Sequence, residues 1–470
     1  MKRRSARGTL LILLMGMILV LTSCRVSYKI GGKKLSQYSS DELDTYERLA
    51  QNLVTMMDSD SETYLNTLSA TDSITFEKEW QQWQDMIEEY GPFQGFTVGS
   101  AWNYGGDVVV MATGQFGEAH ICFDSRWTDR YKLIEITYYR YPDEEEALQA
   151  VPEGVMETDI TLNEGSEYEL PGKITMPKEA EGQTHAYPAA VLIAGTGAND
   201  MDHTAGKTHP YRDLAWHLAE QGVITIRFDK RSFRYSEEWT VPTMENMSIG
   251  WEITDDAVAA IGMLKELEAV DSDRIFCIGH SLGGLVMPRI DEESGGALAG
   301  FCLLSVPDRP WQEAAYDQYL NYGLADAGSN SDIYTMASIL ESEKDTISSK
   351  KIDSFAEPDL LGTKLLGMPA AYWKDLNSYD YVKAYEETQK PVFILQGGDD
   401  YQILAKKDFA GWEEKMDGHE NVKLKLYDGL NHLMMPSFGC FKSCYKEYDM
   451  SNHVSSDVIS DIVAWIGAAS

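Results

Sequence analysis

The chain has 470 residues, 43% hydrophobic and 11% aromatic, enough to build real cores and to exclude wholesale disorder. Its 75 Asp and Glu outnumber 40 Lys and Arg, and the net charge of −35 repels nucleic acid and anionic lipid head groups. The length suffices for more than one domain.

The first residues bear on the compartment. Lys2, Arg3, Arg4 and Arg7 make a basic start, and Leu10 to Leu21 is an unbroken apolar run with one glycine. That run falls short of the roughly 20 apolar residues of a spanning helix and fits a signal-peptide core. It ends in Leu21-Thr22-Ser23-Cys24, which resembles the bacterial lipoprotein cleavage box, in which the cysteine is acylated and becomes the mature N-terminus. The alternative is an uncleaved anchor with an incidental cysteine. Cleavage of residues 1–23 removes four bases and no acid, leaving 36 basic against 75 acidic side chains, a net of −39. The expectation is a signal peptide over 1–23, a lipid anchor at Cys24, a tether over 24–40 and an extracytoplasmic body standing off the membrane surface.

Next, Leu49, Leu53 and Met57, then Trp80, Trp83 and Ile87, recur at helical spacing and predict two amphipathic helices, the second stopped by Gly91-Pro92. From Phe96 the pattern alternates, in Val108 to Val110, Ala119 to Phe123 and Leu133 to Tyr139, with turns at Gly105-Gly106 and Asp129-Arg130. Residues 41–150 therefore read as a small α+β domain, bounded by the acidic stretch Asp143 to Glu146 and by Pro152.

Over 151–470 strands and helices alternate. Strands are predicted at Ala189 to Ala194, Val223 to Phe228, Arg274 to Ile278, Gly300 to Leu304, Val392 to Gln396 and Lys423 to Tyr427. Helices are predicted around Arg212 to Glu220, at Thr254 to Leu267 with Thr254 as its cap, and near Val454 to Ile466. This alternation demands a mainly parallel sheet covered on both faces: an α/β fold. An insertion at about 306–390, rich in aromatics, reads as a helical cap over the sheet's carboxyl edge.

Gly279-His280-Ser281-Leu282-Gly283 fits a nucleophile elbow, with an apolar strand before it and a helix start after it. A serine hydroxyl is a weak nucleophile, so it needs a base and a carboxylate to orient that base, in the chain order Ser, acid, His. His432, after a strand and the turn at Gly429, is the candidate base. His419 reads as a solvated helix end and His453 as a cap on the last helix. Asp400 is the candidate acid because Ile403 would anchor its loop, with Asp399 as its rival. The N–H groups of Leu282 and of Thr196 or Gly197 are the candidate oxyanion donors. Asp202, His203, Asp229, Lys230 and Arg231 either shape the pocket or form salt bridges in its loops. Of the cysteines, Cys277 and Cys302 read as buried thiols, and Cys440 and Cys444 are spaced for a small disulfide loop, with metal ligation the weaker option. No metal site and no cofactor is called for.

Several blocks together resemble a bacterial α/β-hydrolase family of carboxylesterases over about residues 155–470. They are Gly195-Thr196-Gly197-Ala198-Asn199-Asp200, Tyr211 to Ala215, Arg227-Phe228-Asp229-Lys230-Arg231, the elbow, Ala371 to Leu376 and Gln396 to Gln402. The resemblance implies Asp400 as the acid and His432 as the base. The N-terminal unit is similar to the small nuclear transport factor 2-like domain. Two departures stand out: Ala194 occupies the place of a usual histidine, and Cys440 and Cys444 lie where no cysteines are expected.

The reaction expected is hydrolysis of a small-molecule or glycan-linked carboxylic ester through an acyl-enzyme. Tyr372 and Trp373 would either wall its pocket or fill the core of the cap. A serine peptidase or amidase would use the same triad, and a binding lipoprotein would leave it idle.

Overall fold

The computed structural model describes residues 40–59, 76–104, 107–128, 130–141, 150–235, 247–326, 332–437, 447–448 and 450–469. Cys24, Cys440 and Cys444 lie outside them, as does the acidic stretch at 143–146.

Two helices, α1 (Ser40–Ser59) and α2 (Phe76–Tyr90), precede a four-stranded antiparallel meander of β1 (Phe93–Tyr104), β2 (Asp107–Phe116), β3 (Ala119–Trp127) and β4 (Leu133–Tyr141). The apolar stripes of the helices meet one face of the sheet. Tyr46, Leu53 and Trp83 are buried with Val108, Val110, Phe116 and Phe123 in a core of their own. Gly114 faces Phe123 so closely that a Cβ there would lie 2.7 Å from the ring.

The larger sheet has eight strands. A hairpin of β5 (Val155–Leu162) and β6 (Leu170–Pro177) is followed by β7 (Tyr187–Ile193), α3 (Pro210–Glu220), β8 (Ile224–Phe228), α4 (Asp255–Lys265) and β9 (Val270–His280). Then come α5 (Leu282–Leu285), α6 (Met287–Glu293), β10 (Gly300–Leu304), a cap, β13 (Val392–Gly397), β14 (Val422–Tyr427) and the closing helix α12 (Ser456–Ala468). The cap holds α7 (Trp311–Asp326), α8 (Asp332–Ser348), α9 (Glu357–Gly362), the two-residue strands β11 (Lys364–Leu365) and β12 (Met368–Pro369), α10 (Ala370–Leu376) and α11 (Tyr381–Glu387).

The sheet order is β14-β13-β10-β9-β7-β8-β6-β5, parallel except for the hairpin. Burial on both faces explains the unbroken apolar strands: Ile275 and Cys277 of β9 face one core, Phe276 and Ile278 the other. The chain leaves β7 toward β8 on one side and returns past it to β9 on the other. Strand order therefore reverses between β7 and β9, and a crevice opens at their carboxyl ends.

Two expectations are corrected. The hairpin β5–β6 was not foreseen; much of β5 is exposed, so its pattern lacks a continuous apolar run. Thr254 does not cap α4: it has helical φ and ψ, makes no capping hydrogen bond, and belongs to a turn of π-helix, Gly250–Thr254, that leads into α4.

Arg227 clamps the hairpin to the body. It is fully buried in β8 and donates to Glu157 Oε1 (2.7 Å), Thr175 Oγ1 (2.6 Å) and Asp202 Oδ1 (2.9 Å). Burial pushes the Glu157 carboxyl up, but the Arg227 guanidinium and hydrogen bonds from Arg227, Trp216 and Thr175 outweigh it and hold the group below its usual 4.5. The stability this pair contributes is present above pH 4.5 and is lost as the pH falls through the lowered value. Arg227→Met leaves Glu157 with only Lys173, 3.8 Å from its Oε2, for a cation and is expected to destabilise the fold by about 3 kcal/mol, measured by denaturant unfolding at neutral pH.

Candidate active site

Ser281 occupies the turn between β9 and α5 with φ 54° and ψ −126°, a backbone conformation costly for any residue with a Cβ. The glycines around it have steric work to do. A Cβ on Gly279 would lie 2.5 Å from Gly284 Cα; on Gly283, 2.4 Å from the carbonyl oxygens of Ile193 and Ala194; on Gly284, 2.3 Å from Val306 Cγ2. The elbow thus sits directly on the end of the neighbouring strand β7.

Gly397 does the same for the other two side chains. A Cβ there would meet the carbonyl oxygens of Leu430 and Asn431 at 2.4 and 2.5 Å, so the loop after β13 lies against the loop after β14. Across that contact His432 Nδ1 is 2.8 Å from Asp400 Oδ2, both groups buried. Asp400 is held on four sides: Oδ2 also accepts from Gln396 Nε2 (2.8 Å), and Oδ1 accepts the N–H groups of Gln402 (2.8 Å) and Ile403 (2.9 Å). Asp399 is engaged elsewhere, accepting from Ser437 Oγ at 2.5 Å. A carboxylate only accepts, so the His432 proton sits on Nδ1 and Nε2 is bare, ready to take a proton. Ser281 Oγ makes no hydrogen bond among the described residues; serine–histidine bonds of this kind commonly tighten only when substrate arrives.

The candidate donors belong to two stretches that adjoin the serine, the start of α5 and the loop at Gly195. The N–H of Leu282, first residue of α5, makes no hydrogen bond among the described residues, nor do those of Thr196 and Gly197. Their loop lies against the serine, for a Cβ on Gly195 would come 3.0 Å from Ser281 Cβ. Gly197 has φ 101°, which favours glycine there. Beyond the sequence reading, Asn199 Nδ2 lies 3.2–3.3 Å from the carbonyl oxygens of Gly195, Thr196 and Gly197, and Ser232 Oγ donates to Gly197 O at 3.2 Å. Tyr211 OH holds the end of β7 through Ile193 O at 2.5 Å. The bonds from Ser232 and Tyr211 join stretches far apart in sequence, whereas those of Asn199 stay within the block Gly195 to Asp200.

Three histidine rings stand in a row. His280 and His432 are 4.4 Å apart by ring centroid, and His203 and His280 are 5.0 Å apart, edge to face. His280 Nε2 lies 2.9 Å from the His432 carbonyl, so that nitrogen carries the proton and ties the His432 backbone to the residue before Ser281. Burial, then the neighbouring His432 and His203, push His280 well below its usual value; burial, then His432 and Lys230, bring His203 down to about 3.

Other expected residues have structural partners. Asp202 pairs with Arg227, Asp229 accepts the N–H of Met201, Lys230 pairs with Glu252, and Arg231 pairs with Asp256. His419 is not simply solvated, since its Nε2 is 3.1 Å from Glu386 O. His453 is not the cap of α12: Ser455 precedes that helix, while His453 Nδ1 faces Asp213 Oδ2 at 3.1 Å. Tyr372 and Trp373 are fully buried, with Trp373 Nε1 donating to Leu365 O at 2.6 Å, which makes them core rather than pocket wall. Cys277 and Cys302 are buried free thiols, and Cys122 is buried with its Sγ 3.6 Å from Thr113 Oγ1. Among the described residues no helix is long and apolar enough to cross a membrane, and no cluster of His, Cys, Asp and Glu is arranged to hold a metal ion.

The sequence pattern described as the alpha/beta hydrolase family matches residues 190–438. The chain is 36% identical over 336 residues to a curated protein, Esterase EstD of Thermotoga maritima, which spans 72% of each chain. Among solved structures, Est1E from Butyrivibrio proteoclasticus aligns with a TM-score of 0.40 at 15% identity, over 66% of this chain and 98% of that one. A puromycin-hydrolyzing peptidase of Mycobacterium tuberculosis aligns at 0.42 and 13% identity, over 80% and 48%. Neither of these two likenesses bears on chemistry.

The neutral histidines carry a pH signature. An unfolded histidine binds its proton below about 6.5, whereas folded His203 does so only near 3, so the unfolded state gains protons first on acidification. Stability from this group is complete above pH 6.5 and declines toward pH 3. Thermal melts from pH 7 to 4 are expected to fall less steeply in His203→Gln than in the parent chain.

Proposed function

We propose that this chain, which belongs to the α/β-hydrolase family and is a carboxylesterase-like hydrolase, cleaves carboxylic esters outside the cytoplasm through an acyl-enzyme on Ser281. The observation that carries the reading is the buried 2.8 Å contact between His432 Nδ1 and Asp400 Oδ2, at the carboxyl edge where Ser281 also emerges. The esterase name of the 36% identical relative supports the ester as substrate.

In the first step Ser281 Oγ attacks the ester carbonyl while His432 Nε2 takes the hydroxyl proton. The carbonyl π electrons move to oxygen, where the N–H groups of Leu282 and Thr196 receive the negative charge. Collapse breaks the carbon–alkoxy bond, and the imidazolium returns its proton to the departing alcohol. Water, deprotonated by His432, then attacks the acyl-enzyme, and collapse of the second tetrahedral adduct releases the acid and regenerates Ser281. Asp400 keeps the imidazole in its working tautomer and stabilises the imidazolium. No step needs a metal or an organic cofactor.

The compartment belongs to the same proposal. A cleaved signal peptide over 1–23 and acylation of Cys24 would hold the body on its tether outside the membrane, where small-molecule or glycan-linked esters are its substrates. The domain at 41–150, of nuclear transport factor 2-like shape in this reading, stands between anchor and enzyme.

Full-length chain in detergent is expected to turn over short-chain p-nitrophenyl esters and to lose that activity in Ser281→Ala. Asp400→Asn is expected to lower kcat by about 10⁴-fold, while Asp399→Asn stays within tenfold of the parent. Cleavage of aminoacyl anilides but not esters, or fluorophosphonate labelling at a residue other than Ser281, would overturn the reading. Incorporation of an alkyne-tagged fatty acid, abolished by Cys24→Ala, tests the anchor.

A further inference from the structure

Beneath the loop Gly195-Thr196-Gly197 lies a buried chain of polar groups that the reaction scheme does not use. Lys230 Nζ, 4% exposed, donates to Gly195 O at 2.7 Å and to Glu252 Oε1 at 2.9 Å. The other oxygen of Glu252, Oε2, accepts from Tyr372 OH of the cap helix α10 at 2.7 Å. Glu252 and Tyr372 are fully buried as well. The Lys230 backbone N–H bonds Asn199 O at 3.0 Å, so this residue grips the loop twice.

Burying an ammonium and a carboxylate is costly, and a fold gains little stability from it compared with apolar side chains of the same volume. What the ammonium touches is informative. The carbonyl of Gly195 and the N–H of Thr196 are two ends of one peptide group, which is planar and trans, so they point in opposite directions. A cation fixed on the oxygen sets the plane of that peptide, draws electron density toward the oxygen and leaves the N–H a stronger donor. Asn199 adds a neutral donor to the same carbonyl at 3.3 Å.

We propose that Lys230 is a positioning residue for ester hydrolysis: by holding Gly195 O it orients and polarises the Thr196 N–H as an oxyanion donor, while Glu252 serves as the buried counter-charge of the ammonium and not as part of the positioning device. The proposal rests on the assignment of Ser281 as nucleophile. Lys230 touches no reacting atom, so its effect falls on charge that appears only in the transition state, which means on kcat rather than KM.

The test compares two single substitutions that break the same buried ion pair. Glu252→Gln keeps an oxygen acceptor for Lys230, so the ammonium stays on Gly195 O. Lys230→Met removes the donor. In full-length chain in detergent, Lys230→Met is expected to lower kcat for p-nitrophenyl esters by about 10- to 100-fold with KM within threefold, short of the loss when an oxyanion donor is deleted outright. Its second-order rate of labelling by a fluorophosphonate, whose phosphoryl oxygen lodges in the same hole, is expected to fall in the same ratio. Glu252→Gln is expected to keep both values within about threefold of the parent. If Lys230→Met does not fold, Lys230→Met with Glu252→Gln leaves no unpaired charge inside and is compared with Glu252→Gln in the same two assays.

Equal losses of kcat in the Lys230 and Glu252 variants, or a Lys230 variant that melts earlier yet keeps its kcat, would overturn the proposal. Those results leave Ser281 untouched. An unsubstituted chain inert toward esters and toward fluorophosphonate would instead remove the reading on which it rests.

Discussion

Everything at the site depends on how closely the turn after β9 can approach the end of β7. Gly283 touches the carbonyl oxygens of Ile193 and Ala194 with no room for a methyl group between them. That approach brings the first turn of α5 beside the loop at Gly195, so that two separate stretches adjoin one serine. It also requires the reversal of strand order between β7 and β9, because only there do connections leave in opposite directions and open a crevice. The strain at Ser281, with φ 54°, is sustained by the packed strands on either side of it.

The parts of this arrangement that could be read from the chain are the local ones. The glycines of the elbow and the apolar strands each follow from short stretches whose physics is self-contained, whereas the order Ser281, Asp400, His432 is the chain order expected of a triad in this fold. Asp400 and Asp399 were harder to separate, because adjacent residues on one loop differ only in where the fold turns their side chains. The geometry separates them: Asp400 contacts His432 and accepts the N–H of Ile403, while Asp399 turns to Ser437. Asn199, Lys230 and Glu252 were beyond reach as a group. Lys230 meets Gly195 across 35 positions and Glu252 across 22, and no periodicity encodes such a meeting. Thr254 failed for a related reason: the chain was already helical before it, so a residue type that favours caps had no free N–H to serve.

The histidine row ties Ser281 and His432 together through the backbone. His280 precedes Ser281 in the chain and donates to the carbonyl of His432, so the strand end that aims the serine also fixes the loop that carries the imidazole. Because His280 and His203 are kept neutral by burial, neither adds a positive charge beside the His432 imidazole, which the proposed reaction makes cationic.

The bond from Tyr372 to Glu252 has a consequence for how such a chain could diversify. Insertions between central strands are the usual place for an enzyme of this architecture to vary, since they can change length and shape without disturbing the sheet. Here the inserted segment reaches down and completes the last hydrogen bond of a buried carboxylate. A replacement segment without a hydroxyl at that point would leave one oxygen of Glu252 without a donor in the interior, a penalty of about 1–3 kcal/mol or more for a charged group. The insertion is therefore not a free cassette: whatever shape it acquires, it inherits the obligation to place one donor over Glu252.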